Sequence, residues 1–152
     1  TGNVPLSGVA VRDDNGTPGN TADDFDAAPV VVGDPARNVG DVDKDNLLDL
    51  TETWVFTAAR TVTAGQHTNL GTATGRDPDT NQTVTDTDPD NHFGAAPRID
   101  LVKKTNGTDN NTAPGLILPV GSTATFTYEV RNTGNVALAV ALRDDNGTPG
   151  NT

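Results

Sequence analysis

Cysteine and methionine are both absent from the 152 residues, and aromatic side chains make up only 4% of them. Without cysteine there are no disulfides, the usual staple of small secreted domains, and no thiol nucleophile. Hydrophobic residues are also few, at 33%. The core is therefore expected to be thin, and something other than disulfides must tie the loops together. Basic charge is scarce as well: 10 lysines and arginines face 21 acidic residues, a net charge of −11. Nucleic acids and anionic membrane surfaces both require a basic patch, so neither is an expected partner. No apolar run approaches the roughly 18–20 residues of a transmembrane helix, so no membrane insertion is expected in this segment. No signal peptide opens the chain, which is expected to start within a longer protein.

Glutamate is rare even among the acids, only Glu52 and Glu129 departing from aspartate. Aspartate sits in turns, bonds to nearby backbone and presents a short carboxylate that folds around a hard cation. Aspartate-rich loops are therefore read first as metal loops, with divalent cations as the natural partners.

The chain also repeats itself. Residues 1–21 read TGNVPLSGVAVRDDNGTPGNT and residues 133–152 read TGNVALAVALRDDNGTPGNT, the same segment with one residue deleted. From Arg12 to Arg143 the period is 131 residues (143 − 12), the signature of a tandem array. Residues 1–94 are expected to be the C-terminal part of one repeat, 95–98 a linker, and 99–152 the N-terminal part of the next. A one-residue deletion inside a strand would turn every side chain to the wrong face, so a bulge is expected near Pro5 to Gly8.

Period-two alternation marks Thr123 to Val130, with Phe126, Tyr128 and Val130 on one face, and Thr53 to Thr57, with Trp54 and Phe56 on one face. Ile99 to Lys104, Leu138 to Leu142, Pro29 to Val32, Asn69 to Gly75 and Gln82 to Thr85 are further strand candidates between Asn, Gly, Pro and Asp turns. The expected fold class is all-β, an immunoglobulin-like sandwich in a tandem-repeat array with long Asp-rich calcium loops.

The strongest motif is the stretch from Asp41 to Glu52, DVDKDNLLDLTE. Read as a twelve-residue calcium loop, it places Asp41, Asp43 and Asp45 at positions one, three and five. The carbonyl of Leu47 then falls at seven, Asp49 at nine and Glu52 at the closing twelfth position. Alternate spacing lets a curling backbone aim successive carboxylates at one point. Asn46 stands where glycine is usual, and asparagine tolerates the left-handed backbone needed there. The flanks are not helical, so this is the loop without its EF-hand helices. Two further clusters are candidate ligands: Asp13, Asp14 and Asn15 with Asp23, Asp24 and Asp26, and Asp86, Asp88 and Asp90, expected at the junction between modules. More than one Ca2+ per repeat is expected.

Asp100-Leu-Val-Lys-Lys-Thr, Gly121-Ser-Thr-Ala-Thr-Phe-Thr-Tyr and Asn132-Thr-Gly, followed by the stretch from Gly40 to Trp54 and Asn69-Leu-Gly-Thr-Ala-Thr-Gly, resemble the immunoglobulin-like conserved repeats of large bacterial and archaeal surface proteins. That family is similar in architecture to the calcium-binding B repeats of Ser-Asp-rich adhesins. The resemblance implies an extracellular or cell-surface stalk, fibre or surface-layer element whose partners are neighbouring repeats, with self-assembly into a fibre.

Nothing in the pattern points to an enzyme: His67 and His92 are isolated and no nucleophile-elbow motif is present, so no catalytic residue is expected. The alternative is a glycan- or protein-binding adhesin module using Trp54, whose pairing with Phe56 fits a core position better. Lys103 or Lys104 on the first strand is a candidate donor for a Lys-to-Asn isopeptide bond, detectable as loss of ammonia. Asn15, Asn81, Asn106, Asn110 and Asn146 each open an Asn-x-Thr triplet that suits glycosylation of an exported protein.

Overall fold

A computed structural model describes residues 2–147. Thr1 and residues 148–152, which carry the end of the second copy of the repeat, lie outside the described residues. The chain divides into two compact units, Thr1–Gly94 and Ala95–Thr152. Both are all-β, and no helix occurs among the described residues.

The first unit contains β1 (Ser7–Asp13), β2 (Phe25–Pro29), β3 (Val31–Val32), β4 (Arg37–Asn38), β5 (Phe56–Thr57), β6 (Gly65–Arg76) and β7 (Thr83–Gly94). Five of these form one antiparallel sheet in the order β5-β2-β1-β6-β7, while β3 pairs with β4. β1 is central: Val11 stands opposite Ala27 on β2 and Ala73 on β6. The register of β1 against β6 shifts between Ser7 and Ala10, and Gly8 there has φ 58°. The expected bulge thus lies where glycine supplies the left-handed residue that returns Val9 and Val11 to a common face.

β6 and β7, of twelve residues each, form a hairpin in register from Gly65 opposite Gly94 to Arg76 opposite Thr83. Its turn is closed by the Asp77 N–H donating to the Gln82 carbonyl at 2.9 Å and by Asn81 at φ 60°. The sequence predicts a strand ending at Thr85, with Asp86, Asp88 and Asp90 at the junction between modules. All three instead lie inside β7, opposite Ala73, Gly71 and Asn69. Small partners on β6 accommodate the carboxylates. β7 is an edge strand, where Pro89 needs no ladder donor and a charged row discourages pairing with foreign strands.

The second unit contains β8 (Ile99–Thr105), β9 (Thr108–Asp109) and β10 (Phe126–Asn132), in the order β10-β8-β9. Tyr128 stands opposite Lys103 and Val130 opposite Leu101, so Ile99, Leu101 and Lys103 share a face with Phe126, Tyr128 and Val130. Leu138–Leu142, expected as a strand and matching β1 in sequence, is in no strand. In the first unit β1 is held between β2 and β6, and the described part of the second unit has no counterpart of either.

No apolar side chain among the described residues is buried; Asn38 and Asp41 are the buried polar ones, at 5% and 3% exposure. The five-stranded sheet instead carries an open apolar hollow of about 980 Å3, lined by Leu6, Val9, Leu48, Leu50, Ala73 and Val84 among others.

Candidate metal centre

The stretch from Asp41 to Glu52 lies in the long connection between β4 and β5. Asn38 clamps its base. Its side-chain carbonyl accepts the N–H groups of Gly40 and Val55, both at 3.0 Å, and its amide donates to the Val55 carbonyl at 2.9 Å. The two ends approach so closely that a Cβ on Gly40 would lie 1.8 Å from the Thr53 carbonyl oxygen. Further along, Leu48 and Leu6 exchange backbone hydrogen bonds of 2.7 and 3.0 Å, tying the loop to the segment leading into β1.

Within this frame the backbone curls as the alternate spacing requires. Lys44 and Asn46 have φ of 75° and 62°, so the left-handed residue expected at Asn46 is present and Lys44 adds another. Asp41 Oδ1 accepts the Lys44 N–H at 2.8 Å, Asp43 the Asp45 N–H at 3.3 Å, and Asp45 the Leu47 N–H at 2.8 Å. Glu52 reaches back with both oxygens: Oε1 accepts the Val42 N–H at 2.6 Å, and Oε2 accepts the Asp49 N–H at 3.3 Å and the Trp54 indole N–H at 3.1 Å.

This brings the carboxylates together in two groups of three. Asp41, Asp43 and Asp45 each offer an oxygen within 4.8 Å of the others, and so do Asp43, Asp49 and Glu52, with Asp43 common to both groups. Calcium binds oxygen at about 2.3–2.6 Å, so ligands on opposite sides of one ion stand about 5 Å apart. The spacing fits. Leu47 lies in the same turn, with its N–H committed to Asp45.

The charges are uncompensated by protein cations: among the described residues none of these five carboxylates forms an ion pair. Burial first, and then the neighbouring charges of Asp43, Asp45 and Glu52, push the Asp49 carboxyl above the ordinary aspartate range. Glu52 is held below its ordinary value, chiefly by the Val42 N–H, with the Asp49 N–H and the Trp54 indole adding to it. Asp41 Oδ2 is buried and has no hydrogen-bond partner. An unpartnered buried carboxylate oxygen is costly unless a cation meets it, and an all-oxygen donor set is the kind that hard divalent cations select.

The other candidate residues are arranged differently. Asp13 accepts from the Asn15 N–H at 2.8 Å and the Asn69 amide at 2.7 Å. Asp14 accepts from the N–H groups of Gly16 and Leu70 at 2.9 and 2.8 Å. Asp23 accepts from the Thr17 hydroxyl and the Asn15 amide, and Arg12 pairs with Asp24 at 3.0 Å and Asp26 at 3.3 Å. These carboxylates stitch a long turn and neutralise an arginine. Asp86, Asp88 and Asp90 are exposed along β7. Neither set is among the convergent acidic groups of the described residues.

No spacing signal in the sequence marks Asn38 or the Trp54 indole as parts of this centre. His67 and His92, isolated in sequence, stack across β6 and β7 with ring centroids 4.9 Å apart. Comparisons with known proteins find no matching family, no matching curated protein and no matching solved structure.

Proposed function

We propose that the chain is a structural repeat of an extracellular fibre, stalk or surface-layer protein, stiffened by Ca2+ held in the loop from Asp41 to Glu52. The observation that carries this reading is the buried, unpartnered Oδ2 of Asp41 in a group with Asp43 and Asp45, which shares Asp43 with a second group of Asp49 and Glu52, none of them in an ion pair among the described residues. Asp41, Asp43, Asp45, Asp49 and Glu52 would hold the ion, with the Leu47 carbonyl in the remaining slot. A bound cation supplies the positive charge that lets these carboxylates stay close.

The protein's own part is to fix the frame. Asn38 and the Gly40–Thr53 approach join the loop to the sheet, and Leu48 joins it to the segment leading into β1. A rigid loop therefore rigidifies three strands at once. The internal repeat supports the array, since one module after another would present the same loop at the same interval. The net charge of −11 makes self-repulsion the opposing force, which divalent cations relieve.

Thermal unfolding of the chain in millimolar calcium and in chelator tests this, alongside the double variant Asp41→Ala/Glu52→Ala. With calcium at tenfold its dissociation constant, one site adds about 1.4 kcal/mol, a rise of roughly 5–10 °C for a unit of this size. The double variant is expected to lose the rise. Superimposable curves in calcium and chelator for the unaltered chain would sink the reading.

A further inference from the structure

His67 and His92, the chain's two histidines, stand directly opposite each other in the β6–β7 ladder. Their rings lie nearly parallel, with centroids 4.9 Å apart and planes inclined by 16°. Far apart in sequence, they meet through the hairpin register alone. His67 is half-buried and His92 exposed, so the pair is open to a solute. On the other face of the same two strands the Thr68 hydroxyl donates to the Asn91 side-chain carbonyl at 2.5 Å, which holds the strands together behind the rings.

The neighbours of His67 fix its tautomer. Nε2 lies 2.9 Å from the Thr63 carbonyl oxygen and 3.0 Å from the Thr63 hydroxyl. A carbonyl oxygen only accepts, so Nε2 carries the proton and the lone pair of the neutral ring sits on Nδ1. The Thr63 carbonyl owes its place to Gly94, where a Cβ would lie 1.7 Å from the oxygen. An imidazole that donates one ring N–H to a backbone carbonyl and keeps the other nitrogen as a lone-pair donor has the outer-shell arrangement of a metal-ligating histidine.

We propose that His67 and His92 form a clasp for a divalent transition-metal ion of the zinc class, bound through Nδ1 of His67 and a ring nitrogen of His92, with water in the remaining positions. Zinc–imidazole bonds of about 2.0–2.1 Å put two nitrogens on one ion no more than about 4.2 Å apart. Rings whose centroids are 4.9 Å apart reach that separation by a tilt of the exposed His92 side chain. Asp90, exposed on β7 and two residues before His92, shares its face of the strand and adds negative charge beside the ion. The chemistry is distinct from that of the acidic loop: imidazole nitrogen suits zinc, nickel and copper, whereas calcium takes oxygen ligands.

The position gives such an ion a structural role. β7 is an edge strand, paired with β6 alone. The Asp77–Gln82 turn closes one end of the hairpin, and the histidines lie near the other, where Gly65 stands opposite Gly94. A metal there ties the two strands at the end where an edge hairpin frays first. The ion bridges two strands that are neighbours only in the folded chain, so it binds the native state in preference to the unfolded one and raises the melting temperature. The clasp does not depend on the calcium reading, since it uses none of the loop carboxylates.

The test is a zinc titration of the full chain in millimolar calcium, followed by the imidazole proton resonances and by thermal unfolding. With only two histidines, the ring signals report the site directly. One equivalent of zinc is expected to move both sets together and to raise the melting temperature, and a chelator to reverse both effects. His67→Gln and His92→Gln should each weaken zinc binding at least tenfold. His92→Gln, at an exposed position, should melt with the unaltered chain in chelator, which separates lost ligation from lost folding. Asp41→Asn should leave the zinc affinity unchanged. Movement of one histidine without the other, no saturable movement at all, or a zinc affinity that survives His92→Gln overturns the proposal. Zinc binding lost in Asp41→Asn assigns the ion to the acidic loop and overturns it equally.

Discussion

Trp54 donates its indole N–H to Glu52 Oε2 at 3.1 Å, which ties the chain's only tryptophan to the residue that closes the acidic loop. Any turn of Glu52 toward a cation stretches or breaks that bond and alters the polarity around the ring. Calcium titration is therefore expected to change the tryptophan emission in a saturable way, reversed by chelator. Glu52→Gln keeps acceptors for the Val42 N–H or the indole but lowers the charge, so the change should move to calcium concentrations at least tenfold higher. A titration identical to that of the unaltered chain would remove Glu52 from the site.

Gly40 offers a test of the frame apart from its charge. Its missing Cβ is what lets the Thr53 carbonyl approach, to 1.8 Å from where that atom would stand. Gly40→Ala must push backbone aside, and overpacking of this kind costs about 1–3 kcal/mol. Denaturant unfolding is expected to show that loss both with and without calcium, whereas carboxylate variants should show theirs only with it.

Much of this was legible locally and little of it globally. The loop from Asp41 to Glu52 could be read from spacing because alternate residues in a curling backbone meet whatever surrounds them, and its carboxylates gather into two groups that share Asp43. Phe126, Tyr128 and Val130 share a face because strand periodicity is equally local. Leu138–Leu142 has the same alternation and forms no strand, since a strand exists only where neighbours accept its hydrogen bonds. The reverse holds for Asp86, Asp88 and Asp90: aspartate is a poor strand former, but β6 offers Ala73, Gly71 and Asn69 in register and carries them into the ladder. The lysine–aspartate–tyrosine contact depends on bringing residues 103, 128 and 144 together, which no spacing rule supplies.

That contact predicts an unusual titration. Tyr128 donates to Asp144, and this bond, with burial and the aspartate's charge, raises the phenol above its ordinary value. Tyr128 is the only tyrosine, so phenolate absorbance reports it alone. Its midpoint is expected above the usual value of about 10, and Asp144→Asn should bring it down. The same contact works in the opposite sense at low pH. Asp144 is depressed to about 2, so its contribution is complete above the ordinary aspartate value of about 3.9 and is lost as pH falls through about 2. Asp144→Asn should flatten that acid limb, and an unchanged limb would assign it elsewhere.

Asp41 gives the sharpest prediction, because one substitution should change sign with conditions. Its Oδ1 is committed to the Lys44 N–H at 2.8 Å while Oδ2 is buried without a partner. In chelator the charge on that oxygen is a liability: the buried anion meets other carboxylates and no cation. Asp41→Asn keeps the acceptor for Lys44, removes the charge and leaves the volume unchanged, so the variant should melt at a higher temperature than the unaltered chain. In saturating calcium the order should invert, since a neutral amide gives up the charge that holds the ion, and at tenfold the dissociation constant about 1.4 kcal/mol of binding linkage is at stake. The two melting curves should therefore cross as calcium is raised. A variant that is less stable in both buffers would mean that Asp41 serves the loop by hydrogen bonding alone.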